Sequence, residues 1–156
     1  MISIKNSQQG FTLIEVLVAL VVILIGIVSV ISMQQLGLRH THNAYITTVA
    51  TEQMNMMAER MRANSEGVNN GDYDSYSSAS TGSNPGCGTS CTPAETAQLD
   101  HYQWQLENST RMPAGTGTIT NNGDDTFTID INWSELDKSA GADALVSKTR
   151  TGRFRP

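Results

Sequence analysis

The apolar residues of this chain are concentrated in one segment near its N-terminus. From Phe11 to Met33 the chain is almost wholly apolar and carries one charged side chain, Glu15. A run of about 23 residues suits a hydrocarbon core about 30 Å thick, so the pattern predicts a membrane-spanning helix. No proline occurs from Phe11 to Asn64. We therefore expect one continuous helix of about 54 residues, about 80 Å long at the rise of an α-helix.

The second half of this predicted helix is amphipathic. After Gln34 and Gln35, apolar side chains recur at spacings of three and four residues. They form the stripe Ile46, Ala50, Met54, Met57 and Met61. Such a stripe is typical of a helix that contributes one face to a hydrophobic core, and a methionine-rich surface for binding a partner is the alternative. Glu59, Arg60 and Arg62 lie off the stripe, where we expect them to be solvated.

A polar segment rich in Ser, Gly and Asn follows, from Asn64 to Thr92. Its composition is typical of a long irregular connection. Asp72 and Asp74 could bind calcium, but the spacing of an EF-hand is absent. A solvated turn is therefore the favoured interpretation of these two carboxylates.

Two cysteines, Cys87 and Cys91, lie near the end of this connection. In an oxidising compartment a nearby pair of cysteines predicts a disulfide, which here would staple a short loop. A metal site with His101 is the alternative, but a fourth ligand is not evident. The spacing also differs from the C-x-x-C of redox enzymes. We therefore expect neither a metal nor another cofactor.

The next segment carries the signal of a helix start. The residues Thr92 to Glu95 match a capping box, with Pro93 at the first helical position. We expect a short helix that ends at about Asn108. The core face expected at helical spacing consists of Leu99, Tyr102 and Leu106. Trp104 lies away from that face, at the edge of the core or towards a neighbouring protein.

Strand patterns occupy the C-terminal part of the chain. From Gly117 to Trp133, two segments flank the turn sequence N-N-G-D-D, and Asn-Gly between alternating segments predicts a β-hairpin. The strand face expected to cover the helix stripe consists of Phe127, Ile129, Ile131 and Trp133. Ala144 to Thr151 can supply a third strand whose unpaired edge could pair with another chain. The predicted fold is therefore α+β, a long N-terminal helix packed on a small antiparallel sheet.

The charge balance and motifs argue against several classes of function. The chain has 10 basic and 15 acidic side chains, so nothing indicates a nucleic-acid partner. A Gly-rich phosphate loop and a metalloprotease helix motif are both missing. The candidates for a cluster of catalytic polar groups are the cysteine pair and Asp124 with Asp125. The place of the two aspartates in the predicted hairpin turn accounts for them without catalysis. We therefore expect that the chain is not an enzyme.

The order of signals at the N-terminus differs from that of a secretory signal peptide, in which the cleavage site follows the apolar stretch. Here the small residue Gly10 precedes it. The block G-F-T-L-I-E resembles the prepilin signal of type IV pilins and type II secretion pseudopilins. The resemblance implies that a prepilin peptidase cleaves between Gly10 and Phe11, and that Phe11 is then N-methylated. It also implies that Glu15 acts in assembly, opposite the positive N-terminus of a neighbouring subunit.

The resemblance also implies an organisation of the chain. Residues 1–10 form a leader, 11–34 the transmembrane half of the helix, 35–64 its amphipathic half, and 65–156 a periplasmic globular part. Lys5 and the lack of a basic cluster before Arg39 favour a cytoplasmic N-terminus. These features predict a single-pass protein of the inner membrane that later reaches the pilus tip or the cell surface.

A narrower resemblance concerns the end of the long helix. The block M-A-E-R-M-R-A-N, from Met57 to Asn64, is similar to minor pilins of the PilV type, and Gly71 to Tyr73 and Met112-Pro113 fit the same group. Both cysteines precede the hairpin, whereas major pilins usually have a disulfide that brackets a C-terminal loop. The resemblance implies a minor pilin that primes filament assembly within a tip complex, with other minor pilins, the major pilin and a tip adhesin as partners. The alternatives are a type II secretion pseudopilin at a pseudopilus tip and, less favoured, a membrane-tethered enzyme.

Overall fold

The computed structural model describes residues 10–77, 82–87, 90–137 and 144–156. In chain order its elements are α1 Leu13–Ala63, α2 Ser65–Asn69, β1 Ser75–Tyr76, α3 Pro93–Arg111, β2 Thr116–Asn121, β3 Phe127–Asp137 and β4 Ala144–Phe154. The predicted α+β, pilin-like fold is confirmed, with a long N-terminal helix and a small antiparallel sheet. The leader before Gly10 and part of the Asn64–Thr92 connection lie outside the described residues.

The chain divides into two compact units, Met1–His42 and Asn43–Pro156. In the first unit, α1 is apolar all round, and large side chains such as Leu13 and Ile25 are 86% and 63% exposed. By length and composition, α1 is the one helix among the described residues that could cross a membrane. The expected uninterrupted helix is confirmed, and it begins at Leu13.

The sheet of the second unit has the strand order β1-β2-β3-β4, and each neighbouring pair is antiparallel. β2 and β3 form the predicted hairpin, which is confirmed. β4 pairs with β3 along its whole length, from Ala144 opposite Asp137 to Phe154 opposite Phe127. The predicted third strand is therefore confirmed and extends to Phe154. The two-residue strand β1, at the other edge, was not predicted.

The core lies between this sheet and the second half of α1. Because successive residues of a strand point to opposite faces, β3 buries every second side chain. These are Phe127, Ile129, Ile131 and Trp133. α1 buries Ile46, Ala50, Met57 and Met61, while the partly buried Met54 lies against Gly152 of β4, where an added Cβ would overlap its sulfur. The predicted core role of the methionine stripe is confirmed.

α3 has the predicted start but buries a different face. Its capping box is present, since Thr92 Oγ1 accepts from the Glu95 amide and Glu95 Oε2 accepts from the Thr92 amide. The helix ends at Arg111, beyond the predicted Asn108. The predicted core face of Leu99, Tyr102 and Leu106 is wrong, because Leu106 is 49% exposed. The buried face consists of Ala97, His101, Trp104, Gln105 and Asn108.

Specific polar contacts accompany the burial of Trp104 and Gln105 on this face of α3. Trp104 Nε1 donates to the backbone oxygen of Gln53 on α1 at 3.0 Å. The amide of Gln105 makes two bonds with Gly117 of β2, since Nε2 donates to its carbonyl at 2.5 Å and Oε1 accepts from its N–H at 3.0 Å. A Cβ on Gly117 would overlap the Trp104 ring. Trp104, expected at the edge of the core, is wholly buried. The expectation was wrong because the hydropathy of the helix does not reveal these partners on other elements.

The connection after α1 is more regular than predicted. Asn64 caps α2, and its side-chain oxygen accepts a hydrogen bond from the Gly67 amide. A turn at Gly71, with a φ of 81°, precedes Tyr73, which is buried in the core. The prediction of an irregular connection is therefore wrong for residues 65–69 and 75–76. Ser, Gly and Asn supply helix caps and tight turns as readily as loops, so composition alone did not distinguish them.

Candidate functional site

The start of α1 presents its side chains outward. The Thr12 carbonyl oxygen accepts hydrogen bonds from the amides of Glu15 and Val16, at 3.1 and 3.4 Å. Gly10 and Phe11 precede the helix, and Phe11 is 83% exposed. The peptide bond between Gly10 and Phe11 therefore lies outside the first helical turn, where another protein can reach it.

The folded chain does not require glycine at position 10. A glycine is needed where φ is positive or where another atom comes too close for a Cβ. Gly10 is not among the residues with positive φ, and a Cβ added there would meet no atom within 4 Å. Neither reason applies within the part of the chain that the structure describes. A requirement for a small residue at this position would therefore come from outside the chain.

Glu15 lies in the first turn of α1 and is exposed. Across residues 10–77, 82–87, 90–137 and 144–156, no ion pair or side-chain hydrogen bond involves its carboxylate. An anion near a helix N-terminus is favoured by the helix dipole, but an uncompensated charge in a bilayer costs about 2.5–3.5 kcal/mol at the helix centre. The Glu15 carboxylate is therefore available to a positive group from outside the chain.

A polar interface joins α1 to α3 in the second unit. Arg60 of α1 donates to Gln103 at 3.0 Å and to Glu107 at 3.2 Å, and its guanidinium lies 3.7 Å from Asp100. The Arg60 side chain is only 21% exposed, so the prediction that it is solvated is wrong. It was expected to point to water because it lies off the apolar stripe, but α3 covers that side of α1.

Glu59 and Arg62 are exposed, as predicted, and pair with each other at 2.5 Å. Arg111 of α3 donates to Glu52 of α1 at 2.8 Å, and this hydrogen bond raises the pKa of Arg111. Exposed ion pairs contribute about 0–1 kcal/mol. The Arg111–Glu52 pair, which joins the two helices, therefore orients them more than it stabilises them.

A second group of hydrogen bonds fixes the segment after α1. Tyr73 Oη donates to Asp100 at 2.6 Å, and Asn64 Nδ2 donates to Tyr73 Oη at 3.1 Å and to the Pro93 carbonyl at 2.8 Å. Burial raises the pKa of Tyr73, and the hydrogen bond with Asp100 raises it further. Burial also raises the pKa of Asp100, against the lowering effects of Tyr73 and Arg60.

His101 stacks on Tyr76 of β1, with ring centroids 4.1 Å apart and planes inclined by 10°. Its ring also lies near Gln105, whose Nε2 is 3.4 Å from His101 Nε2. Burial lowers the pKa of His101. Burial, with the charges of Asp72 and Asp100, raises the pKa of Tyr76 to about 12. The stack therefore joins α3 to β1, and burial favours the neutral form of its imidazole.

Cys87 and Cys91 form a disulfide, with Cα atoms 5.4 Å apart. Cys91 directly precedes Thr92, the cap of α3. The bond uses both sulfur atoms, which argues against the alternative metal site with His101. Among the described residues, no group of three or more His, Cys, Asp or Glu could hold a metal ion.

Among comparisons with known proteins, a match to a family model covers the N-terminal segment. Residues 5–31 match the family model of the prokaryotic N-terminal methylation motif. No curated protein matches the chain, and no solved structure matches it. The motif indicates a protein of the type IV pilin or pseudopilin kind, and with the apolar α1 it fits a membrane-anchored protein. A prepilin-type signal favours a structural subunit over an enzyme.

The structure distributes the predicted site residues over both units. Gly10, Phe11 and Glu15 lie at the start of α1, within the matched motif. Cys87 and Cys91 lie before α3 in the second unit. Sequence reasoning missed the contacts of Arg60 with α3 and the Tyr73–Asp100 bond. The available signal was a pair of opposite charges, Arg60 and Asp100, on two helices predicted to share one core.

We predict that His101 lowers the stability of the folded chain in mild acid. Because its pKa is lowered in the folded chain, the unfolded chain binds more protons below the ordinary value of 6.5. Stability should therefore be greatest above that pH and fall as the pH falls through it. His101→Phe keeps an aromatic ring against Tyr76 without the titration. Urea unfolding of the full chain in detergent, from about pH 7 to about pH 5, should show a smaller loss for the variant.

The comparison of the parent chain with His101→Phe isolates the effect of His101 titration, because Asp100 titrates in both proteins. The raised pKa of Asp100 acts in the opposite direction, since a carboxyl that binds protons more tightly when folded gains stability as the pH falls. Equal losses for the parent chain and His101→Phe would contradict the prediction.

Proposed function

We propose that the chain is a minor pilin that takes part in type IV pilus assembly and primes the filament within a tip complex. The observation that carries this proposal is the methylation motif at residues 5–31, which coincides with an exposed helix start and with Glu15, whose carboxylate has no partner among the described residues. An anchor that served only to hold the chain in a membrane would gain nothing from a carboxylate in that helix.

The proposed maturation begins with a prepilin peptidase that cleaves between Gly10 and Phe11 at the cytoplasmic face of the inner membrane. The new N-terminal Phe11 is then N-methylated. Both steps need access to the chain before its first helical turn, and the exposure of Phe11 and the open space around Gly10 support that access. The remainder of the chain faces the periplasm, and the mature protein then reaches the pilus tip or the cell surface.

In the proposed assembly, Glu15 pairs with the positive N-terminus of a neighbouring subunit. Two unit charges 4 Å apart attract by about 4 kcal/mol at an effective dielectric of about 20, which offsets the cost of placing Glu15 in a bilayer. The partners are other minor pilins and the major pilin, with a tip adhesin as a further partner. Nucleic acid is not among them, since the chain is acidic overall.

The position of the disulfide supports a minor rather than a major subunit. Cys87 and Cys91 are linked before α3, and the C-terminal segment after the hairpin has no cysteine. The second candidate is a pseudopilin of a type II secretion system, because the matched motif indicates pilins and pseudopilins alike. The PilV-type resemblance from Met57 to Asn64 favours the pilus.

The first prediction concerns processing. In cells with a prepilin peptidase, intact-mass analysis of the membrane form should give a chain that begins at methylated Phe11. Gly10→Val should block cleavage without affecting folding, because no atom of the described chain lies near that position. Gly10→Ala, the matched control, should still be cleaved. A mature parent chain that retains Met1 to Gly10 would contradict the proposed signal.

The second prediction concerns Glu15. Glu15→Ala should insert and fold normally, but its incorporation into filaments or their initiation complex should fall by more than about tenfold, because one charge pair is lost. Ser29→Ala is the control, since the Ser29 hydroxyl donates to the Ile25 carbonyl of its own helix at 3.0 Å. Normal incorporation of Glu15→Ala, measured by quantitative immunoblotting of sheared filaments, would show that the pairing is dispensable.

A further inference from the structure

The two sides of the β2–β3–β4 part of the sheet differ in how their backbone groups are hydrogen-bonded. On the outer side of β2, these groups have partners from outside the hairpin. The side-chain amide of Gln105 bonds both the N–H and the carbonyl of Gly117. β1 pairs with Ile119 and Thr120, and the Asn121 amide donates to the Asp74 carbonyl at 3.1 Å. This edge is therefore closed.

The β4 edge has no such cover among the described residues. β4 pairs with β3 over residues 144–154 without a break in register. No other backbone group or side chain of the described chain hydrogen-bonds to the backbone of β4. An edge strand of this length presents a row of free N–H and C=O groups, which is a template for another strand.

The charges on this edge select among possible strands. From Ala144 to Pro156 the chain has four basic residues and no acidic one, although its net charge is −5. Arg153 and Arg155 pair with Asp124 and Asp125 of the hairpin turn. Lys148 and Arg150 do not. Their cross-strand neighbours are Trp133 and Ile131, and no ion pair involves either cation within the described chain.

The charges disfavour a second copy of the same strand in the register centred on Thr149. If two β4 strands paired antiparallel about Thr149, Lys148 of one copy would lie opposite Arg150 of the other. Like charges directly opposite each other destabilise a strand pair, whereas opposite charges stabilise it. In this register the charges disfavour a second copy, and they favour a strand with carboxylates at the matching positions.

We infer that the open edge of β4 binds an extended acidic segment of a different protein as an added strand. Main-chain hydrogen bonds provide the attachment, as in other cases of strand addition, and Lys148 and Arg150 select carboxylates on the incoming strand. The inference rests on the second unit alone and does not depend on the proposed pilus function.

The test uses the full chain in detergent micelles and short fluorescent peptides as probes. One peptide alternates threonine and glutamate, a second alternates threonine and lysine, and a third is the acidic peptide with alternate amides N-methylated. The acidic peptide should bind and should slow amide hydrogen exchange in β4. The basic and N-methylated peptides should bind about tenfold more weakly or worse, since the first opposes the charges and the second lacks the donors.

Matched charge reversals locate the contact. Arg150→Glu should weaken binding of the acidic peptide about tenfold, whereas Arg111→Glu, the same change on α3, should leave it unchanged. Circular dichroism confirms that both variants are folded. Equal binding of the N-methylated peptide, an equal effect of Arg111→Glu, unchanged exchange in β4 or failure of the acidic peptide to bind would each overturn the inference.

Discussion

The N-terminal half of α1 carries apolar side chains on all sides, and this surface has to be removed from water. From Leu13 to Leu38, none of its large apolar side chains is buried by the described chain. Burial of apolar surface contributes about 25 cal/mol per Å², and either a bilayer or the apolar helices of neighbouring subunits can provide it. The same surface can therefore act first as an anchor and later as an assembly surface. Glu15 is its one charge, and in the proposed assembly it makes the choice of neighbour specific.

The second half of α1 differs from the first, because one of its faces is buried in the core and the other is not. The sheet and α3 cover its methionine stripe, and two side chains of α3, Trp104 and Gln105, have defined polar partners at this interface. Trp104 donates to the Gln53 backbone, and the Gln105 amide bonds both groups of the Gly117 peptide unit. An unpaired buried polar group costs about 1–3 kcal/mol. These bonds therefore fix the orientation of α3 more strictly than apolar packing alone would.

The main elements were predictable because they follow from periodicity. The long helix, the Phe127 to Trp133 face and the capping box at Thr92 each depend on residues close in sequence. The face of α3 was not predictable in this way. Leu106 of its apolar stripe is exposed, and Leu99 and Tyr102 are only partly buried. The helix instead buries Trp104 and Gln105, whose polar partners are Gln53 and Gly117.

The same limit applied to Arg60, whose partners are on α3. At the N-terminus the sequence was more informative than the fold, because the methylation motif is a local sequence pattern that the contacts of the described chain do not reflect. We propose that this chain primes a filament composed mainly of another subunit. Quantitative mass spectrometry of purified filaments is the sharpest test of this role. This chain should then occur at a copy number far below that of the major subunit, and a copy number comparable to the major subunit would overturn the proposal.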